Sequence, residues 1–371
     1  MKIGIDLVST NKNSGSKTYN INFIENLSKF NFNIIFYIFI TKSLFKEIKI
    51  HNNKNIKVIL KSNILSIFLF RIFWMQIVFP FELLKLRIKA IYSAMNYIPF
   101  ILYFLKIKSI LTIHSNLPWT YFNLMPGNLF KKIFMKKLME ISIKYCDILF
   151  CNSNYSKSEL LKYIKINKNI FVNYLGCNHF NNNKSKKFFN KEKYILSVIS
   201  CAKYHNILNL LIAYNNLIIK KKISVNLCFV LQIIDKEYYN KILNYINIHQ
   251  LQKKVYIFNN LKNAELPNFY KNAKAYIFTS YSEVFGFTTL EAMNYNLPVA
   301  VSNRSALREI NGKSAIYFNP DSIEEIEKSL IKILNNKVLI QRLKKNSKMN
   351  LARYKWENHI KKFLNVINNY L

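Results

Sequence analysis

The sequence predicts an α/β protein made of two doubly wound, Rossmann-like parallel-sheet domains in series. Three observations carry this. Short runs of β-branched and aromatic residues alternate with longer stretches of helical periodicity, the pattern of a parallel sheet covered by helices. The chain's 371 residues exceed one ordinary core, so two domains of about 150 to 200 residues each are expected. The alternation stops once, at "NNNKSKKFFNKEK" over residues 181–193, where apolar periodicity vanishes and a linker is expected.

The first domain is expected over residues 1–182. Its strands are "KIGIDLV", "NIIFYIFI", "IKVIL", "AIYSAM", "SILTIH", "DILFCNS" and "NIFVNYLG". The second, over residues 190–352, restarts the pattern with "YILSVIS", "VNLCFVLQI", "VYIFNNL", "AYIFTS", "LPVAVS" and "SAIYFN". Helical segments such as "DSIEEIEKSLIKILNN" lie between these runs, with Asp321 or Ser322 as the cap and acids in the first turn. The last residues, 353–371, read as an amphipathic closing helix. Ligands of such sheets bind beyond the carboxyl ends of the strands, and with two domains the cleft between them is the expected place.

Lys and Arg number 55 against 19 Asp and Glu, a net charge of +36. A charge that large invites a polyanion or membrane-surface partner. The lysines are scattered among many Asn and Ile residues, which points to compositional drift and away from a dedicated nucleic-acid site. The apolar run "NILSIFLFRIFWMQIVFPFELL", residues 63–84, is interrupted by Arg71 and Gln76 and broken by Pro80. It reads as a buried or interface-lying helix before a membrane span. Five cysteines without metal-binding spacing suit a reduced, cytoplasmic chain, and the first ten residues alternate like a strand and lack a leader's apolar block.

Candidate site residues sit at strand ends. Only six glycines occur, where average usage would give about 26, so those present are candidates for steric need. Gly15 follows the first strand and precedes a helix, a place where backbone amides approach phosphate; an ordinary turn explains it equally well. Gly286 follows "AYIFTS" and precedes a helix starting near Thr288, so it and the first helical amides form an expected anion site. Glu283 and Glu291 flank it. Taken singly, one is a loop acid and the other a favourable charge near a helix start; flanking one glycine, they point to a ligand. His114 ends "SILTIH", and Lys203 and His205 follow "YILSVIS", where a cation can neutralise a phosphate. Only four aspartates occur, no two of them close in sequence, so no metal is expected; GxSxG, GxxxxGK[ST] and GxGxxG are missing.

The stretch "SEVFGFTTLEAMNYNLPVAVSNRSALREINGKSAIYFNPDSIEEIEKSL" resembles the signature region of the family 4 glycosyltransferases, the glycosyl transferases group 1, with their pattern of Glu, seven residues, Glu. "LTIHSNLPW", "DILFCNSNYSKSELL", "VNYLGCNHF", "YILSVIS" and "LPNFYKNAKAYIFTS" resemble further blocks in order, and "RIFWMQIVFP" is similar to a segment of the mannosyltransferase-like members.

The resemblance implies a GT-B fold and retaining, metal-independent transfer from a nucleotide-diphosphate sugar such as GDP-mannose or a UDP-sugar. The acceptor would be a glycan or lipid-linked, in bacterial polysaccharide or lipopolysaccharide assembly. Glu283 would hold donor-sugar hydroxyls and Glu291 the ribose, while Phe285, Gly286, Phe287 and Thr288 would bring amides to sugar and diphosphate. Gly15 would lie beside the phosphates and His114 near the sugar. The family's Arg and Lys after this strand are replaced: Ser200 stands near the first position and His205 near the second, with Lys203 a small shift away. Val284 and Asn296 replace two family glycines. No cofactor or nucleic-acid partner is implied, and peripheral contact with an anionic membrane is compatible with the charge. The rival expectation is a membrane-surface or polyanion-binding adaptor whose transferase site has decayed.

Overall fold

The computed structural model describes residues 1–8, 15–177, 193–259, 261 and 265–371. The chain divides into two compact units. The first comprises Met1–Asn116, Ile133–Gly176 and Trp356–Leu371; the second comprises Leu117–Lys132 and Cys177–Lys355. The expected ranges gave each domain one continuous stretch. The chain instead contributes segment 117–132 to the second unit and returns its last helix to the first, because periodicity marks a buried face without saying which body buries it. Nearly all of the expected linker lies outside the described residues, as do residues 9–14 before Gly15.

The first unit holds seven parallel strands, β1 (Lys2–Asp6), β2 (Ile35–Thr41), β3 (Ile56–Lys61), β4 (Ala90–Ser93), β5 (Lys108–Ile113), β6 (Ile148–Cys151) and β7 (Ile170–Val172). Their order is β3-β2-β1-β4-β5-β6-β7. Ile3 pairs with Phe36 on one side and Ala90 on the other, so the strand order reverses at β1. The central strands are buried almost throughout, which explains their near-continuous apolar sequence. The helix Trp356–Tyr370 lays Trp356, Ile360, Phe363 and Ile367 into this core, each contributing about 1.5–3 kcal/mol by burial. A Cβ on Gly176 would stand 2.3 Å from the Trp356 backbone nitrogen, so the chain passes that helix only as glycine.

Residues 68–85 form one helical run, Phe68–Phe73, a π turn at Trp74–Val78 and Phe79–Lys85. The polar residues that interrupt it in sequence are its anchors. Arg71 is buried and ion-pairs with Asp6 at the end of β1, Gln76 bonds the backbone of Ile98 and Phe100, and Pro80 sits in the first turn of the last segment, where no amide is lost. No helix among the described residues is long and apolar enough to cross a membrane.

The second unit holds six parallel strands, β8 (Tyr194–Cys201), β9 (Asn226–Ile233), β10 (Val255–Asn259), β11 (Ala273–Phe278), β12 (Val299–Ser302) and β13 (Ala315–Phe318), in the order β10-β9-β8-β11-β12-β13. The thirteen strands among the described residues each overlap a run read from sequence. Ser322 caps Ile323–Asn335 by accepting from the Glu325 amide, with Glu324 and Glu325 in the first turn. Asn296, where the resemblance expects glycine, has φ 60°; asparagine is a residue that tolerates this left-handed geometry. The strand order reverses between β8 and β11, which opens a crevice at their carboxyl ends.

Candidate functional site

In the second unit the loops leaving β8 and β11 bring His205 and Glu283 together, with Nδ1 of His205 3.6 Å from Oε1 of Glu283. His205 closes a short 3-10 turn, Lys203–His205, directly after β8. The loop is tied down by backbone bonds: Tyr281 N–H donates to Tyr204 C=O at 2.9 Å, and the Thr279 hydroxyl to His205 C=O at 2.8 Å. Glu283 is fixed from below, its amide donating to the Ser305 hydroxyl at 3.0 Å and its carbonyl accepting from Ala306 N–H at 3.2 Å.

The electrostatics differ from a sequence expectation. Burial pushes the His205 imidazole down to about 3, so it is neutral near pH 7 and not a cation for phosphate. Burial pushes the Glu283 carboxyl up to about 7, against a lowering hydrogen bond from Ser280. The contact is therefore one between a neutral ring and a half-ionised carboxyl rather than an ion pair, and such a carboxyl can both accept from and donate to a hydroxyl. Exposed Lys203 and Arg304 bring positive charge to loops that follow β8 and β12. Ser200 stands half-buried near the end of β8 opposite Gln232.

Gly286 caps the helix Phe287–Asn294 with φ 87° and ψ 52°. Its missing side chain has two causes: the left-handed backbone, and Leu307, whose Cδ2 would lie 2.7 Å from an added Cβ. Thr289 returns both its amide and its hydroxyl to the Gly286 carbonyl, while Phe285 is buried against Phe287 and Tyr354. The helix start near Phe287 and Thr288 therefore has a set geometry, and as the N-terminus it carries the positive pole of the helix dipole. Glu291 lies one turn further on, 4% exposed, and accepts from the Tyr270 hydroxyl at 2.7 Å. Tyr270 stacks flat on Tyr295, so the Glu291 carboxylate is held in one place.

In the first unit His114 ends β5. Its ring centroid lies 4.5 Å from that of Tyr19, the rings tilted by 57°, Nδ1 is 2.9 Å from the Asn152 amide nitrogen, and its backbone N–H donates to Asn96. Nε2 is buried and has no hydrogen-bond partner among the described residues. Burial, with a smaller contribution from repulsion by His359 were both rings protonated, holds this imidazole down at about 3. Gly15 begins the helix Gly15–Leu27, and a Cβ there would meet no atom within 4 Å.

Sequence reasoning overlooked Arg304 and Asn152. Asn152 directly follows β6 and Arg304 stands two residues past β12, and that position was the available signal. Arg304 bonds Asp321 at 3.0 Å, and Asp321 also receives the Tyr281 hydroxyl at 2.7 Å. Among the described residues no group of three or more His, Cys, Asp or Glu is placed to hold a metal, and the five cysteines are buried and free.

Residues 179–350 match the family described as glycosyl transferases group 1. The O-antigen chain mannosyltransferase RfbU of Salmonella typhimurium is 28% identical over 212 residues, 56% of this chain and 56% of that protein. The chain thus spans about half the length of that relative, and less of other curated relatives. Two solved structures share the fold: sucrose-phosphate synthase from Thermosynechococcus elongatus (TM-score 0.77, 14% identity, 100% and 98% of the two chains) and Anabaena Alr3699/HepE in complex with UDP and glucose (TM-score 0.75, 13% identity, 100% of both chains).

Proposed function

We propose, from the premise that this GT-B chain carries a glycosyl transferases group 1 domain over residues 179–350, that it is a retaining, metal-independent hexosyltransferase. It would move a sugar from a nucleotide-diphosphate donor to a glycan or lipid-linked acceptor of a bacterial surface polysaccharide. The observation that carries this reading is the arrangement at the β8/β11 reversal: a glycine-capped helix start flanked by one polarisable acid, Glu283, and one anchored acid, Glu291. Likeness to RfbU, an O-antigen chain mannosyltransferase, supports the mannosyl and polysaccharide assignment. Likeness in fold to HepE with UDP and glucose supports a nucleotide-sugar donor.

The residues divide the work by chemistry. Breaking the bond from sugar to phosphate builds negative charge on the leaving diphosphate. Amides at the Gly286 helix start, together with the Lys203 and Arg304 side chains, can stabilise that charge without metal. Glu283 would bind sugar hydroxyls and Glu291 the ribose. Neutral His114 carries a buried Nε2 suited to one hydroxyl hydrogen bond. The acceptor oxygen would bond to the anomeric carbon as the sugar–phosphate bond breaks, its proton passing to the leaving phosphate.

Thermal unfolding with a panel of UDP- and GDP-sugars tests the donor class. The reading expects a rise in midpoint with at least one of them that grows with concentration, in EDTA as well as in buffer. No rise with any nucleotide sugar, combined with salt-sensitive binding of DNA, would replace it with the polyanion adaptor.

A further inference from the structure

The helical run of residues 68–85 is apolar on both faces. Its inner face puts Met75, Phe79 and Leu83 into the core. Its outer face presents Leu69, Phe73, Ile77, Phe81 and Leu84 at 75%, 56%, 49%, 64% and 45% exposure. These follow at intervals of four, four, four and three residues, so they form one stripe along a helix about 27 Å long. The next segment adds Tyr103 and Phe104, 64% and 75% exposed, and is joined to the run through the Gln76 bonds to Ile98 and Phe100. Monomeric surfaces rarely leave a continuous apolar stripe in water.

Beyond Leu84 the surface turns basic. Leu84 and Leu105 line a groove together with Arg87, Lys89, Lys106 and Lys108. The first three are exposed, and Lys108 pairs with Asp147 at 2.9 Å. The acid of the helix itself, Glu82, is taken up by Lys61 at 2.6 Å. An apolar stripe continuous with a cationic groove matches one partner chemistry, a bilayer surface with acyl chains beneath anionic headgroups. A second copy of the chain would bring two cationic grooves and a charge of +36 together. A nucleic acid would leave the phenylalanines and leucines uncovered.

We infer that this face of the first unit is an interfacial docking surface for anionic phospholipid, with the helix lying in the membrane plane, Leu69 to Leu84 entering the acyl boundary and Arg87, Lys89 and Lys106 on the phosphates. The inference goes beyond the transferase reading and does not depend on it.

Co-sedimentation of the full chain with vesicles of phosphatidylethanolamine and phosphatidylglycerol, against vesicles of phosphatidylcholine alone, tests it. The expected result is binding to the anionic vesicles only. Phe73→Glu with Phe81→Glu should weaken it more than about tenfold by removing inserted rings. Lys89→Gln with Lys106→Gln should weaken it about 25-fold, near fivefold for each cation. Both pairs lie on the surface and should keep the wild-type unfolding midpoint and nucleotide-sugar turnover, which separates failure here from failure of the transferase reading. Anionic-vesicle binding that survives the Phe73/Phe81 change within twofold would overturn the proposal. So would a wild-type dimer in analytical ultracentrifugation that this change dissociates, since a second copy would then cover the stripe.

Discussion

Replacing Glu283 by glutamine should make the protein more stable above neutral pH while removing donor-sugar binding. Burial raises this carboxyl from its ordinary 4.5 to about 7 in the folded chain. Between those values the folded state holds a proton that the unfolded state has released. Stability therefore falls as pH rises, by about 1.4 kcal/mol per unit and about 3 kcal/mol across the window. The glutamine amide of the variant stays neutral in both states and escapes that cost. Neither His205 nor His114 changes charge between pH 5 and 8, since both are held down near 3. The assay is thermal unfolding of wild type and Glu283→Gln at several pH values, taking the difference so that other titrations cancel. The difference should be near zero at pH 4.5 and reach about 6–12 °C in favour of the variant by pH 8, at 2–4 °C per kcal/mol for a unit of this size. A difference that does not vary with pH would show that the carboxyl is not buried as described.

Other expected outcomes follow from the same geometry. Gly286→Ala should lose about 1–2 kcal/mol from the left-handed backbone alone, plus the cost of moving Leu307, read as a lower denaturation midpoint with donor binding lost. Gly15→Ala meets no atom, so its midpoint should stay within about 1 kcal/mol of wild type; a fall in nucleotide-sugar affinity would then report ligand approach at that backbone. Gly176→Ala should abolish soluble expression or lower the midpoint severely, since the Trp356 backbone cannot retreat about 1 Å without moving its helix. His114, His205 and His359 are all neutral by burial and pushed down to about 3, 3 and 4. Their contribution is intact above pH 6.5 and lost as pH falls, about 1.4 kcal/mol per unit for each, seen as a steep loss of midpoint between pH 6.5 and 4.

The strands were legible because buried parallel strands must be short and apolar, and "YILSVIS" or "LPVAVS" permits little else. Gly286 was legible because this composition avoids glycine, so a retained one marks steric need; its clash partner Leu307, twenty-one residues away, was not. Sequence told Glu283 and Glu291 apart only as a loop acid and a helix acid. The fold separates them: one sits at a loop with its charge suppressed, the other is anchored by Tyr270. His205 read as a cation because sequence carries no burial, and burial decides its charge. The outward stripe from Leu69 to Leu84 was hidden for the opposite reason, since an apolar run does not say which of its faces is covered.

The central claim is donor cleavage at the Gly286 helix start, and the most direct measurement is nucleoside diphosphate release from a panel of nucleotide sugars by wild type, Glu283→Ala and Gly286→Val in the presence of EDTA. Release by wild type from one donor, lowered at least about a hundredfold in each variant, is the predicted result. Equal release by all three proteins, or release that stops with EDTA, would contradict the account.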